Sequence, residues 1–171
     1  MAKITYTSEE VPQFELLKSG PYAFEVVGCD VGIQNGGKTN GCDKVELKLM
    51  LFTDAKFEKK VGTISRLMIF PQTRDAGINS LLQGHINAFI KSAGIEAEMG
   101  EELELDEHSC LRRRGWVNIT QKQVKRGGVP QFVDGDNKKP ELRNEVDRFI
   151  TDKGRIERAP AALEDTEEKP F

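Results

Sequence analysis

A chain of 171 residues, 37% of them hydrophobic and 31% charged, suits one domain with an appended segment and a solvated surface. Its net charge of −3 is carried by the last residues, because four acids and one base lie between Ala159 and Phe171 and the rest of the chain is neutral. No apolar run approaches the roughly 20 residues of a transmembrane helix, and the N-terminus lacks a signal-peptide layout. These absences predict a cytoplasmic protein without a membrane partner.

The first half of the chain predicts three strands. Pro21–Ile33 is rich in aromatic and β-branched residues, and the Gly- and Asn-rich loop 34–43 follows it. Lys44–Thr53 alternates between apolar and polar residues, which is typical of a half-buried strand. Residues 54–60 form a hairpin tip that leads into a third strand over Val61–Phe70. The predicted core face of the second strand consists of Val45, Leu47, Leu49 and Leu51.

The second half predicts one helix and two further strands. Apolar residues recur at helical spacing over Asn79–Ala93 and Gly94 is placed to end the helix. The acidic stretch 95–107 is then a loop or a weak second helix. A strand is predicted over Cys110–Lys125 and another near Gln131–Val133. The stretch 137–148 is too charged for a core element. The apolar residues of the predicted helix are Leu81, Leu82, Ile86, Phe89, Ile90 and Ala93.

This order of elements predicts a fold class and a domain division. Five strands with one main helix between strands 3 and 4 form the layout of an OB-fold, a partly open five-stranded barrel that often binds oligonucleotides. We therefore expect an all-β, OB-fold-like nucleic-acid-binding domain over residues 1–150. The composition of residues 151–171 is typical of a flexible acidic tail.

The sequence contains none of the common motifs of catalysis. Phosphate-binding loops, dinucleotide fingerprints, zinc-protease motifs and serine-hydrolase elbows are not found, so we predict no enzyme, no catalytic residue and no cofactor. Cys29, Cys42 and Cys110 could join His108 in a zinc site, but zinc ligands usually come in tighter pairs. We instead predict buried, reduced thiols and no metal site.

The strand around Trp116 suggests contact with nucleic acid. The surrounding segment, Leu111–Arg143, contains nine bases and three acids. If the strand is unbroken, Val117 faces inward while Arg114 and Trp116 share the opposite face, where cations neutralise phosphates and an aromatic ring stacks on a base. Two other interpretations stay open. Trp116 could cap the barrel beside a solvated arginine run, or a bulge at Gly115 could exchange the two faces.

Other basic and aromatic residues extend this predicted surface over three elements. Some lie opposite the leucine face of the second strand, some at the following hairpin tip, and some on a basic finger around residues 125–128. Because basic and aromatic residues recur on all three elements, we predict that these elements form one interface for single-stranded nucleic acid. The predicted nucleic-acid-binding residues are Lys44, Lys48, Phe52, Phe57, Lys59, Lys60, Arg112, Arg114, Trp116, Lys122, Lys125 and Arg126.

The C-terminus, Leu-Glu-Asp-Thr-Glu-Glu-Lys-Pro-Phe over residues 163–171, resembles the tail tip of bacterial and phage single-stranded DNA-binding proteins. In that family an acidic tail ending in an aromatic residue recruits replication and recombination proteins. A terminal phenyl ring fits an apolar pocket while the carboxylates meet basic residues around it. The resemblance covers about nine residues, and Lys169 interrupts the acidic run. The implied partner-binding residues are Glu164, Asp165, Glu167, Glu168, Pro170 and Phe171.

Together these features favour a sequence-independent single-stranded DNA-binding protein that coats DNA and recruits partners through its tail. The chain also resembles small phage-encoded proteins of replication modules in its length and in its strands-helix-strands order. This resemblance implies the host cytoplasm, and a homo-oligomer is compatible with the sequence. The first alternative is a protein–protein interaction module on the same barrel, such as a phage inhibitor or assembly factor. A second is an RNA-binding OB domain, which would contact 2′-hydroxyl groups.

Overall fold

Five antiparallel strands form the main sheet in the computed structural model, which describes residues 2–5, 16–133 and 139–151. A two-stranded ribbon connects the fourth long strand to the last one. The strands are β1 Gly20–Ile33, β2 Asp43–Phe52, β3 Lys60–Ile69, β4 Arg114–Gln123, β5 Lys125–Arg126, β6 Val129–Pro130 and β7 Leu142–Ile150. The helices are α1 Ala76–Ser92, α2 Glu107–Cys110 and a 3₁₀ turn over Gly37–Thr39. The main sheet has the order β3-β2-β1-β4-β7, and β5 pairs with β6.

The predicted mostly-β class with one main helix after the third strand is confirmed. The fifth strand is not where the sequence placed it. Residues 131–133 contribute only an isolated bridge between Phe132 and Pro140, whereas the charged stretch forms β7 and pairs with β4 along its length. Strand β7 is one edge of the sheet, so its polar residues remain in solvent while Val146, Phe149 and Ile150 are buried.

The sheet is not closed into a barrel, so the coarser part of the predicted OB-fold-like barrel, five main strands with one main helix, is what the structure confirms. Strands β3 and β7 lie side by side, but no backbone ladder joins them within the described residues. Arg66 lies opposite the buried Leu47 on β2 and therefore points inward, where its Nη1 donates to the carbonyl oxygen of Val146 at 3.4 Å. Burial of this guanidinium lowers the pKa of Arg66. A half-buried side chain thus stands where a closing ladder would run.

The hydrophobic core lies between the concave face of the sheet and α1. The four predicted core residues of β2, from Val45 to Leu51, are fully buried as expected. Three phenyl rings meet at the centre: Phe149 lies 5.4 Å from Phe24 and 5.1 Å from Phe89, edge to face in both pairs. Phe24 comes from β1 and Phe89 from α1. Aromatic contact of this kind adds to the stabilisation that burial already supplies.

Helix α1 begins three residues before the predicted start because Asp75 caps it. The Asp75 carboxylate accepts hydrogen bonds from the backbone N–H groups of residues 77 and 78 at 2.8 and 3.1 Å. Gly94, at a φ of +67°, ends the helix as predicted. Of the apolar residues that recur at helical spacing, Ile86 and Phe89 are buried, whereas Leu81 is 62% exposed. No described helix has the length and apolar character needed to cross a membrane.

The end of α1 is fixed to β4 at Gly115. A Cβ atom added to Gly115 would lie 2.2 Å from the carbonyl oxygen of Ser92. The buried Ser92 hydroxyl donates to the carbonyl oxygen of Trp116 at 2.8 Å and accepts from its backbone N–H at 3.3 Å. Glycine is therefore required where the helix backbone touches the strand.

Candidate nucleic-acid interface

The convex face of the sheet, which we call the outer face, carries the side chains that alternate with the core. The ladder between β1 and β4 passes through Gly115 without a shift, so the predicted faces of β4 are not exchanged. Val117 and Ile119 are fully buried on the core side. Arg114 and Trp116 consequently lie on the outer face, as the unbroken strand predicted.

The Trp116 ring is nevertheless covered. Its exposed fraction is 4%, and it packs in a second apolar cluster with Ala23, Phe52 and Ile150. These four residues lie in one cross-strand row, in which Ala23 pairs with both Phe52 and Trp116. The expectation of an exposed tryptophan plane is therefore wrong, and Phe52 is equally inaccessible. A base could stack on either ring only after the cluster opened.

The aromatic surface that the outer face does offer is formed by Phe57 and Arg114, which we call the Phe57–Arg114 stack. The guanidinium carbon of Arg114 lies 4.4 Å from the centre of the Phe57 ring, a cation–π distance. Phe57 in turn meets Phe52 edge to face at 5.4 Å. Arg114 also donates from Nε to the Glu25 carboxylate at 2.8 Å, and its side chain remains 53% exposed. Ring and cation are thus held together at the surface.

The turn between β2 and β3 holds Phe57 in this position. The buried Asp54 carboxylate accepts from the backbone N–H of Lys59 at 2.7 Å and from that of Glu58 at 3.1 Å. Burial by itself raises the pKa of Asp54, but these hydrogen bonds and the Lys59 charge outweigh burial, so the pKa is lowered. Phe57 has a φ of +59°, which is uncommon for a non-glycine residue.

The predicted cations of this turn and of β2 follow the β2–β3 hairpin at increasing distance from the stack. Lys59 and Lys60 are exposed at the turn, and Lys60 pairs with Phe52 across the strands. Lys48 lies opposite Gly28 on β1, which has no side chain to cover it. Farther along the strand, Lys44 and Lys48 flank the acidic Glu46. The surface around the stack is therefore only moderately basic.

The far end of β4 and the ribbon carry a second group of cations, several of which are paired. Lys122 lies 3.4 Å from the Glu145 carboxylate, and Arg126 lies 3.6 Å from that of Glu141. Lys125 and Arg126 are exposed on the ribbon. Exposed pairs of this kind contribute little to stability and exchange readily for other partners, so the cations remain able to meet a phosphate.

Arg112 is the predicted residue that lies away from the others. It precedes β4 with a φ of +65°, and its backbone N–H donates to the carbonyl oxygen of Val26. Its neighbours in a shallow depression include Asp106 and Glu107 of the α2 region. An acidic setting of this kind does not favour phosphate. The six predicted tail residues, from Glu164 to Phe171, lie outside the described residues.

The cysteines do not assemble a metal site in the described part of the chain, where no group of three or more metal-binding side chains converges. Cys29 of β1 and Cys110 of α2 are neighbours. Burial and the adjacent Cys110 thiol raise the pKa of Cys29 to about 12, and burial also raises that of Cys110. Thiols of this kind stay protonated and react slowly.

Two contributors to the stack were not found from the sequence. Glu25 orients Arg114, and Met50 packs against the same second cluster as Phe57. Both follow from strand register, because Glu25 pairs with Met50 on one side and with Arg114 on the other. Alternation within β2 had already placed Met50 on the outer face; the pairing of β1 with β4 was the missing information.

Comparison of the sequence with known proteins gives no match to any protein-family model and none to a curated protein. The function is therefore argued from the geometry of the outer face and from the residues of the tail.

Proposed function

We propose that the protein binds single-stranded DNA on its outer face, without sequence preference. The observation that carries this proposal is the Phe57–Arg114 stack, in which an aromatic ring and a cation share the convex side of the sheet. Stacking platforms next to cations are the means by which proteins hold single strands, because every base has a π-face and every nucleotide has a phosphate.

In the proposed complex a base stacks on the outer surface of Phe57. Arg114 then exchanges its contact with Glu25 for a phosphate, which a surface ion pair permits at small cost. Lys48 lies near the middle of β2, and Lys60 lies beside the stack at the turn. The backbone of the nucleic acid would thus cross the sheet between these cations. Phosphate contacts position the strand without reading its sequence.

The finer description of the fold supports the same proposal. We infer an open OB-fold-like barrel, since the order β3-β2-β1-β4-β7 has a helix after its third strand and places β3 beside β7. In OB-folds the surface of strands 2 and 3 and the adjoining loops bind oligonucleotides. Here the stack lies between β4 and the β2–β3 turn, and the basic ribbon β5–β6 occupies the position of a binding loop. Fold likeness alone does not establish function.

We further propose that the tail recruits replication or recombination proteins. The support is the acidic run from Glu164 to Glu168 followed by Pro170 and Phe171 at the C-terminus. The phenyl ring would enter an apolar pocket of the partner, and the carboxylates would meet basic residues at its rim. The domain would then coat exposed DNA while the tail contacts a second protein.

A matched pair of variants tests the DNA-binding proposal. Phe57→Ala removes the stacking surface and should weaken binding to labelled oligo-dT by about 1–3 kcal/mol. Leu81→Ala is the control, since Leu81 is 62% exposed on α1 and should leave affinity unchanged. Fluorescence anisotropy at fixed salt gives the affinities, and urea unfolding shows whether each variant is folded. Equal affinity in a folded Phe57→Ala protein would exclude the stack as the binding site.

A second candidate function is a protein-interaction module, which one observation favours. Beyond Val26, β1 pairs only with β2 and leaves its other edge without a strand partner among the described residues. Val31 and Ile33 on this edge are 61% and 58% exposed. An exposed strand edge with apolar side chains can accept a strand from another protein. A folded wild-type protein that does not bind oligo-dT at moderate salt would favour this function.

A further inference from the structure

A groove of about 1130 Å³ separates α1 from the irregular segment 97–105, on the side of the molecule away from the outer face. Its more buried lining residues are apolar and include Ile86, Ile90 and Leu103. Its charged lining residues are mostly acidic and exposed. Within the described lining, four glutamates accompany a single lysine: Glu98, Glu101, Glu102 and Glu104, with Lys91. The groove is thus suited to a segment that is both basic and partly apolar.

The course of the chain brings such a segment to the groove. Thr151, which follows β7 directly, lines the groove. The chain therefore leaves the last strand inside the groove rather than on the outer face. Residues 153–158 read Lys-Gly-Arg-Ile-Glu-Arg, with three cations, one acid and one large apolar side chain.

We propose that residues 153–158 dock in this groove. Lys153, Arg155 and Arg158 would meet the glutamates of segment 97–105, and Ile156 would cover the apolar side chains between α1 and that segment. The sign of the charge selects this part of the tail. The four acids between Glu164 and Glu168 would be repelled by the same glutamates.

Proximity favours this segment over a second copy of the chain or another protein. Seven residues beyond Thr151 span at most about 24 Å when extended, so the whole segment stays near the groove. A short tether gives an effective concentration of about 1 mM. A free basic peptide would need a comparable concentration to compete.

This docking has a consequence for the rest of the tail. The acidic tip would start from the α1 side of the domain, and its exit point would not change when the outer face is occupied. The inference is independent of DNA binding, because it depends only on the groove and on the charge of residues 153–158.

Zero-length coupling with a carbodiimide tests the docking on the full chain. This reagent joins a lysine amine to a carboxylate in contact, so Lys153 should couple to the groove glutamates about tenfold more than to Glu46, an exposed acid on the outer face. Peptide mapping by mass spectrometry measures the yields. Ile156→Asp should reduce the preference to near parity, whereas Leu163→Asp, the same change outside the segment, should preserve it.

Mixing isotopically labelled with unlabelled chains distinguishes the possible occupants. Coupled peptides from one chain support the proposal, and at about 10 μM protein they should exceed hybrid peptides by about 100-fold. Predominantly hybrid products would assign the groove to a second copy and overturn the proposal. Coupling of Lys153 that favours no carboxylate, or that is unaffected by Ile156→Asp, would also overturn it.

Discussion

At Gly115 the space for one methyl group decides whether α1 can reach β4. The required contact is with backbone, because the atom that a Cβ would meet is the carbonyl oxygen of Ser92 at 2.2 Å. Gly115→Ala should therefore lower the free energy of unfolding by about 3 kcal/mol, at the upper end of the cost of overpacking. Urea denaturation followed by circular dichroism measures the change.

Gly84→Ala is the matched control for this substitution. Gly84 lies in the interior of α1, and an added Cβ would meet nothing within 4 Å. Because alanine favours a helix more than glycine does, this variant should gain up to about 1 kcal/mol. If both variants lost a similar free energy of unfolding, the close contact between Ser92 and Gly115 would not be what limits the packing of α1 on β4.

Asp54 should make the β2–β3 turn sensitive to acid. Its pKa is lowered in the folded state, so its contribution to stability is present above the ordinary value of 3.8 and is lost as the pH falls through the folded pKa. Asp54→Asn should cost about 1 kcal/mol at neutral pH, and the difference from wild type should shrink below about pH 4. Urea unfolding at several pH values measures it.

Asp30→Asn, on the exposed end of β1, provides the control for loss of one carboxylate. A difference between wild type and Asp54→Asn that is constant from neutral pH to the acid range would contradict the proposed role of the Asp54 charge. Loss of the Asp54 hydrogen bonds at low pH should also loosen the turn that presents the Phe57 ring.

At the scale of elements, the sequence predicted those strands that have one buried face and one exposed face. From Val45 to Leu49 in β2 the alternation separates fully buried from exposed residues, so periodicity alone placed this strand. Strand β7 escaped this reasoning because it is an edge strand with a bulge between its pairs to Asn118 and Ile119. The bulge interrupts the alternation, so Val146 and Phe149 are separated by two residues instead of one.

The candidate site was predictable in part for the same reason. Alternation assigned Arg114 and Trp116 to the correct face of β4, but it could not show that Phe52 and Ile150 from neighbouring strands cover the tryptophan ring. Whether the Trp116 ring is covered depends on how β1, β2 and β7 are aligned with β4 in the sheet. Phe57 stays half-exposed because it lies on a turn rather than within the sheet.

The ribbon β5–β6 should contribute electrostatically to DNA binding. Lys125→Glu with Arg126→Glu should lower oligo-dT affinity without loss of stability, since the pair of Arg126 with Glu141 is exposed. If the whole interface neutralises about four to six phosphates, the logarithm of affinity should fall with that of salt with a slope of about −3 to −4. Removing one cation that binds a phosphate should make this slope shallower by about 0.7.

The control reverses two cations of α1 and its N-terminal flank instead, Arg74→Glu with Lys91→Glu. The net charge changes equally in the two double variants, so only a local contact distinguishes them. Equal reductions of affinity would indicate a long-range effect of net charge, and the ribbon would then have no direct role.

At the scale of the whole molecule, the tail and the domain should compete. Residues 163–171 carry four acids and one base, and acids tethered to the domain that can reach its cations oppose the approach of phosphates. Deleting residues 163–171 should leave the domain folded and raise oligo-dT affinity modestly, chiefly at low salt. Anisotropy titrations at two salt concentrations measure this effect.

Phe171→Ala separates recruitment from this competition. It removes no charge, so DNA affinity should be unchanged while capture of a tail-binding partner is abolished. A deletion variant that binds DNA more weakly, or that unfolds, would mean that residues 163–171 belong to the folded structure. The recruitment hypothesis would then fail.

The seam between β3 and β7 gives the domain an uneven tolerance to change. Widening a closed barrel breaks a row of backbone hydrogen bonds together, whereas widening this sheet at the seam stretches side-chain contacts such as that of Arg66 with the Val146 carbonyl. A larger core side chain should therefore cost the least stability beside the seam, for example at Ile64. Around Phe24 and Leu49, where β1 is bonded to its neighbours, the same increase in volume strains the ladders. Descendants of this chain should therefore diverge fastest in core volume along the seam.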